Sequence, residues 1–343
     1  MTRNNLLLVI TLVLLTVLLV GIKTVQSFAP AVGAKPMVLS EPIACSYCTA
    51  VGNGSLAFAK DHGTGLRTIV SRDGTQGTIN SDVESMFTLG HSAFAIYPVD
   101  PSGSKGLFGR LHDAGCFVVA YGAQPEPGTQ TPFAVATDTR TAATTATEEL
   151  IKLMGGRGRI LNVLESLTDA NTPIRRAAIE AVVANHPGVK IVQTIGDMST
   201  PEDSREKIEG TLVALGFDVD GIICTGSTTS VGAANILTEY HRKPGVKRIH
   251  FVGLDDDPVV LAAIKNGSID MTLAQNPFGQ GYISCALLQL MIEGHKPASA
   301  YQFIDSGFVV VTRENVDSYG KDVEETTRKI SSELLSRYFL PAQ

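Results

Sequence analysis

The side chains with chemistry to offer stand at a few short stations along the chain. Asp138-Thr139, Glu165, Thr225 to Ser227, Asp255 to Asp257 and Gln275-Asn276 each close or follow an apolar run. Carboxylates accept hydrogen bonds, while hydroxyls and amides both donate and accept, so the set is made for polar contacts. Asp138 also has the type and place of a helix cap, and Asp256 and Asp257 read as a solvated loop with a cap. The sequence holds no His/Cys cluster with metal-ligand spacing, no Gly-x-Ser-x-Gly elbow and no Walker-type phosphate loop.

Two motifs point towards redox chemistry. Gly52-Asn53-Gly54-Ser55-Leu56-Ala57 matches G-x-G-x-x-A after a possible strand, with Asp73 about twenty residues on. On that reading the glycine backbone approaches a pyrophosphate, Asp73 accepts from a ribose hydroxyl, and the chain is an NAD-binding oxidoreductase. No later residue set supplies a hydride-transfer base, so the expectation is that the protein is not an enzyme and needs no cofactor. Cys45-Ser46-Tyr47-Cys48 has dithiol spacing, but no helix is expected directly behind it; a structural disulfide or two buried thiols is the alternative. Cys116, Cys224 and Cys285 sit in apolar or helical patterns and read as small buried hydrophobes.

These stations are spaced by a regular rhythm. Apolar runs at 66–70, 93–97, 117–121, 160–163, 189–192, 221–224, 249–253 and 271–274 are mostly followed by helix-period stretches. Short strands alternating with helices give successive βαβ crossovers, hence an α/β fold with parallel sheets. Ser199 with Glu202 has capping-box spacing, and Asp257-Pro258 and Asn276-Pro277 each set proline at a first helical position. Gly267 and Gly294 suit the left-handed residue just past a helix. In open α/β sheets ligands bind beyond the carboxyl ends of the strands, which is where the polar stations fall.

Length and charge narrow the class. The chain of 343 residues is long enough for two ordinary domains, and its 44% apolar and 18% charged residues are globular in proportion. A formal charge of -6 with no dense Lys/Arg block excludes a nucleic-acid surface. Residues 6–22 are apolar except for Thr11, Thr16 and Gly21, behind a start that carries Arg3. Such a run is intermediate between a cleaved signal and a spanning anchor, and either one takes the chain to or across the cytoplasmic membrane.

Four separated motifs then converge. Val135-Ala136-Thr137-Asp138 opens a helix, and Arg175 leads Arg-Arg-Ala-Ala-Ile-Glu-Ala-Val-Val-Ala with Pro187-Gly188-Val189-Lys190 beyond. Phe251-Val252-Gly253-Leu254-Asp255 and Leu273-Ala274-Gln275-Asn276-Pro277 complete the set. Across roughly residues 66–312 this order resembles the periplasmic sugar-binding proteins of the ribose-binding family. The resemblance implies two Rossmann-like parallel-sheet lobes joined by three crossings near 137/138, 275/276 and 305/306, closing about a hinge on the ligand. The lobes would be 40–137 with 276–305 and 138–275 with 306–320, preceded by a signal or anchor over 1–35 and followed by a helical tail over 321–343.

By the same resemblance Arg175, Asp255 and Gln275 are ligand-binding positions, Thr139 stands where the family has Asn, and Asp138 adjoins it. The family's Asp-Arg pair after the fourth strand is replaced by Gly122-Ala123, its second-lobe Asn by Gly226, and its tandem aromatics find no match near 51–56. Tyr47 or Tyr121 is then the candidate for a stacking face. The first helix reads as a short one over 54–62. The implied function is capture of a small polar ligand, a sugar or polyol other than ribose, outside the cytoplasmic membrane. Its partner would be an ABC transporter permease or, if the anchor is retained, a membrane receptor.

Overall fold

A computed structural model describes residues 35–341 apart from 168, 170 and 199. The apolar run at 6–22 and the capping candidate Ser199 lie outside the described residues. No described helix is long and apolar enough to cross a membrane.

The first element, β1 (Met37–Glu41), is buried at all five positions, as an interior parallel strand must be. The helix after it, α1 (Ser46–His62), is 17 residues long. Both correct the sequence expectation of a strand just before Gly52 and a short helix from 54. The run Met37 to Glu41 is only five residues long and follows directly on the linker, so its periodicity was lost against the apolar segment upstream. Cys45 caps α1, its sulfur accepting from Cys48 N at 3.1 Å, and the two cysteines form a disulfide across 5.1 Å between Cα atoms. A helix therefore does stand directly behind this pair.

From there strands and helices alternate. The first sheet takes β1, β2 (Leu66–Val70), β3 (Ala93–Ile96), β4 (Phe117–Tyr121), β5 (Phe133–Ala136) and β11 (Gln302–Asp305), in the order β11-β5-β4-β3-β1-β2. The second takes β6 (Gly158–Val163), β7 (Val189–Ile195), β8 (Gly221–Cys224), β9 (His250–Leu254), β10 (Met271–Gln275) and β12 (Phe308–Thr312), in the order β12-β10-β9-β8-β6-β7. Pairing among these strands is parallel except for β10 with β12, where Met271 faces Thr312.

Each sheet is covered on both faces. The first carries α1 and α9 (Pro277–Ile292) on one side and α2 (Gln76–Thr88) and α3 (Pro101–Asp113) on the other. The second carries α4 (Thr139–Leu153) and α5 (Thr172–Ala184) on one side. Its other side carries α6 (Pro201–Ala214), α7 (Ser227–Tyr240) and α8 (Pro258–Lys265). Helix starts are fixed by short polar side chains that take up unpaired N–H groups. Asp138 accepts from Arg140 N and Thr141 N, Asp257 from Val259 N and Asn276 from Gly279 N. At α6 the cap is Thr200, accepting from Asp203 N, one residue later than the Ser199/Glu202 box read from the sequence. Gly267 and Gly294 take left-handed φ of 79° and 93° behind their helices.

The chain crosses between the sheets after β5, β10 and β11. The crossings are laced together: Asn276 Nδ2 donates to Ser306 O at 2.7 Å, Ser306 N to Ala136 O at 2.9 Å, and Asp138 N to Asp305 Oδ1 at 2.9 Å. Over them runs α10 (Tyr319–Tyr338). Val316 and Tyr319 at its start pack on the second sheet's core, whereas Ile330, Leu334 and Tyr338 pack on the first sheet's. Midway, Thr327 Oγ1 meets Asn276 Nδ2 at 3.0 Å.

Candidate functional site

Asp255 stands at the carboxyl end of β9 with φ of 69°, a left-handed conformation that Asp and Asn tolerate better than most residues. Three contacts hold it. Its N donates to Leu273 O at 2.8 Å, its carbonyl accepts from Thr272 Oγ1 at 2.7 Å, and its Oδ1 accepts from Gln275 Nε2 at 2.7 Å. Neighbouring parallel strands thus set the carboxylate and the amide side by side. Burial pushes the Asp255 carboxyl up to about 6; the Gln275 bond and Arg175 oppose the rise, and Glu165 and Asp256 add to it.

Arg175 lies in the first turn of α5, its side chain 11% exposed and 3.8 Å from the Asp169 carboxylate. Arg176 beside it points into solvent and pairs with Glu180 at 2.8 Å. Thr139, at the start of α4, donates to Asn171 Oδ1 at 3.1 Å. Thr139, Arg175, Thr225 and Gln275 line a crevice of about 20 Å³, floored by Ile179 and Ile223. That is room for about one water.

The first lobe faces this set with rings. Tyr47, in the first turn of α1, donates its hydroxyl to Gln280 Oε1. Tyr97 follows β3. Burial pushes both phenols up, Tyr97 to about 12, and both feel Arg175 and Asp255 of the other lobe. Tyr121 is 1% exposed, packs edge-on against Tyr97 at 5.5 Å between centroids, and spends its hydroxyl on Ser40 O. Among the six sequence candidates, Arg175, Asp255, Gln275 and Thr139 are brought together. Asp138 is committed to its cap, and Tyr121 backs Tyr97 from the first lobe's core.

Two glycines explain how the cleft is filled. A Cβ on Gly122, whose φ is 79°, would overlap the Tyr97 ring. A Cβ on Gly226 would overlap the Glu165 carboxylate. Where the sequence suggested two lost polar contacts, the space is taken by Tyr97 in one lobe and Glu165 in the other. Tyr97, Gln280 and Glu41 were not singled out from the sequence. Tyr97 read as the last residue of a strand, Gln280 as a helix interior, and Glu41 lay in the strand that was missed. Glu41 is 7% exposed, and burial pushes its carboxyl up to about 7. Gln280 is fully buried, and its Nε2 has no hydrogen-bond partner among the described residues.

The dinucleotide fingerprint is overturned. Gly52 and Gly54 lie within α1 and not in a strand-to-helix loop, and a Cβ on Gly54 would overlap Phe278 O of α9. The glycines let two helices approach closely. Asp73 accepts from Thr75 N at 3.0 Å and from the hydroxyls of Thr75 and Thr78, a local cap at the start of α2. These bonds, the Thr75 backbone first, hold its carboxyl down at about 2. A wide concavity, about 950 Å³, lies at the opposite end of the first lobe, between the 124–132 loop and the 294–301 segment. Its lining includes Glu126 and Lys296 but none of Thr139, Arg175, Asp255 or Gln275. Among the described residues no group of three His, Cys, Asp or Glu side chains is placed to hold a metal ion.

Comparison with known proteins agrees with this architecture. A family model described as "Periplasmic binding protein domain" matches residues 38–296. A putative rhizopine-binding protein of Rhizobium meliloti is 23% identical over 244 residues, covering 70% of this chain and 77% of the relative. A solute-binding protein of an ABC transporter from Burkholderia graminis, solved with D-arabinose, superposes with a TM-score of 0.75 at 23% identity, over 84% of this chain and 99% of that one. Another from Bacillus halodurans, solved with myo-inositol, gives 0.72 at 19% identity over 85% and 99%. One from Actinobacillus succinogenes, with D-allose, gives 0.74 at 18% over 83% and 100%.

Proposed function

From the premise that the chain belongs to the periplasmic binding protein domain family, we propose that it captures a sugar or polyol between its lobes and delivers it to an ABC importer outside the cytoplasmic membrane. The observation that carries this reading is the set Arg175, Asp255 and Gln275 at the carboxyl edge of one sheet, with Tyr47 and Tyr97 of the other lobe within its electrostatic reach. The fork of a guanidinium, an accepting carboxylate and a two-way amide satisfy several hydroxyls at once, and tyrosine rings cover the apolar face of a sugar. Small-molecule sites run to about 300 Å³ or more, far above the crevice at Arg175, so entry requires the lobes to part about the three crossings. In this proposal the lobes run over 40–137 with 276–305 and over 138–275 with 306–320, with β1 drawing the start of the first back to Met37, and the segment over 1–35 exports or anchors the chain.

The test is a melting-shift screen with pentoses, hexoses, polyols, sugar acids, nucleosides and NAD. A ligand at a hundredfold excess over its Kd stabilises the native state by about 2.7 kcal/mol. A shift with a sugar or polyol is expected. A shift with NAD alone, or none with any polyol, would sink the reading.

A further inference from the structure

The charges of the cleft do not balance. Arg175 is already paired with Asp169 at 3.8 Å. Among the described residues the Asp255 carboxylate is hydrogen-bonded by the neutral Gln275 amide and feels that same guanidinium, while the Glu165 carboxylate receives no hydrogen bond. Glu165 occupies the space that Gly226 vacates, which sets a second carboxylate near enough to Asp255 to act on it. Among the described residues the groups acting on Asp255 include no cation of the first lobe, which presents the Tyr47 and Tyr97 rings instead. Beside Tyr47, Gln280 is fully buried, and its Nε2 has no partner among the described residues, a donor waiting for an acceptor such as a hydroxyl oxygen. Two half-buried carboxylates kept close together are costly unless a cation joins them. Tyrosine faces attract a cation as well.

We infer that the cleft is built for a ligand bearing an ammonium group, an aminated sugar or polyol whose cation sits between Asp255 and Glu165 while its hydroxyls meet Arg175, Gln275 and Gln280. This rests on the sugar-or-polyol reading and narrows it. It also assigns the specificity to Glu165, which is admitted by a glycine at 226, and to the tyrosines, which stand in place of a charged pair.

The experiment is calorimetric titration of the full-length chain, solubilised in a mild detergent, with matched ligands: glucose against glucosamine, galactose against galactosamine, myo-inositol against an aminodeoxyinositol, and glucuronate. In at least one pair the amine is expected to bind tenfold or more tightly than its neutral partner, with glucuronate showing no binding. Neutral members that equal or exceed their amines, or a glucuronate complex, would overturn this inference and leave the polyol reading standing. Binding by no member of any pair would count against both. In Glu165→Gln the ratio of amine to neutral affinity is expected to fall at least tenfold, and Glu165→Asp, which keeps the charge, to retain most of it. An unchanged ratio in Glu165→Gln would remove Glu165 from the site.

Discussion

Asp255→Asn is expected to make the ligand-free protein more stable and unable to bind. The carboxyl is pushed from 3.8 to about 6, chiefly by burial. At about 1.36 kcal/mol per pH unit, that shift means that holding Asp255 ionised costs the folded state on the order of 3 kcal/mol. The sign follows from proton uptake. Between its unfolded and folded pKa the native state binds more protons than the unfolded one, so stability falls as pH rises through that window. The cost is complete above about 6 and absent below 3.8. Asparagine removes the charge, still accepts from Gln275 Nε2, and tolerates the left-handed φ of 69°, so no new strain enters. At roughly 1.5 °C per kcal/mol for a chain of this length, the variant should melt about 5 °C above the parent at pH 7.5. The gap should close as the pH approaches 4. Differential scanning calorimetry from pH 4 to 8 reads this directly. A variant that melts lower at pH 7.5, or a gap that does not change with pH, would refute the assignment of Asp255 as a buried charge held for a ligand.

Arg175→Ala leaves Asp169 and Asp255 without their guanidinium and should weaken ligand affinity by roughly a hundredfold or more, as removal of one partner of a desolvated charge pair does; calorimetric titration checks it. Gly122→Ala forces a Cβ onto the Tyr97 ring at a left-handed φ and should destabilise by about 1 to 3 kcal/mol, read as a lowered melting temperature. Glu41→Gln should raise stability above pH 7, because burial lifts that carboxyl from 4.5 to about 7, and the gain should fade as pH falls towards 4.5. A gain that persists at low pH would mean packing, not charge, sets the effect.

The legible part of the fold was the part written in repeating units. Strands at 66–70, 117–121, 221–224 and 271–275 sit where apolar runs end in turn or cap residues, and capped starts such as Asp257-Pro258 and Asn276-Pro277 register as single residues. The second lobe's polar edge was legible because Asp255 and Gln275 terminate such runs. The first lobe's edge was not. Met37 to Glu41 ends in a carboxylate that looks like linker chemistry, and Gly52 and Gly54 imitate a phosphate loop while serving helix contact with α9. The exchanges at Gly122 and Gly226 defeat a linear reading for a further reason. Each glycine matters only through a side chain 25 or 61 positions earlier that fills its space, Tyr97 and Glu165.

The closing helix α10 has a bearing on when this protein becomes solid. Leu334 and Phe339 belong to the same buried cluster as Met37, Leu39 and Val51, so the hydrophobic centre of the first lobe is made from both extremes of the described chain. Contacts so remote in sequence are slow to form, because most of the loop entropy must be lost before they return any energy. Among the described residues the second lobe's core draws on nothing earlier than α4 at Thr139 and nothing later than Tyr319 at the start of α10. A nascent chain can therefore consolidate its second lobe while the first is still open to chaperones and proteases, and the clock on the first is stopped only when α10 docks.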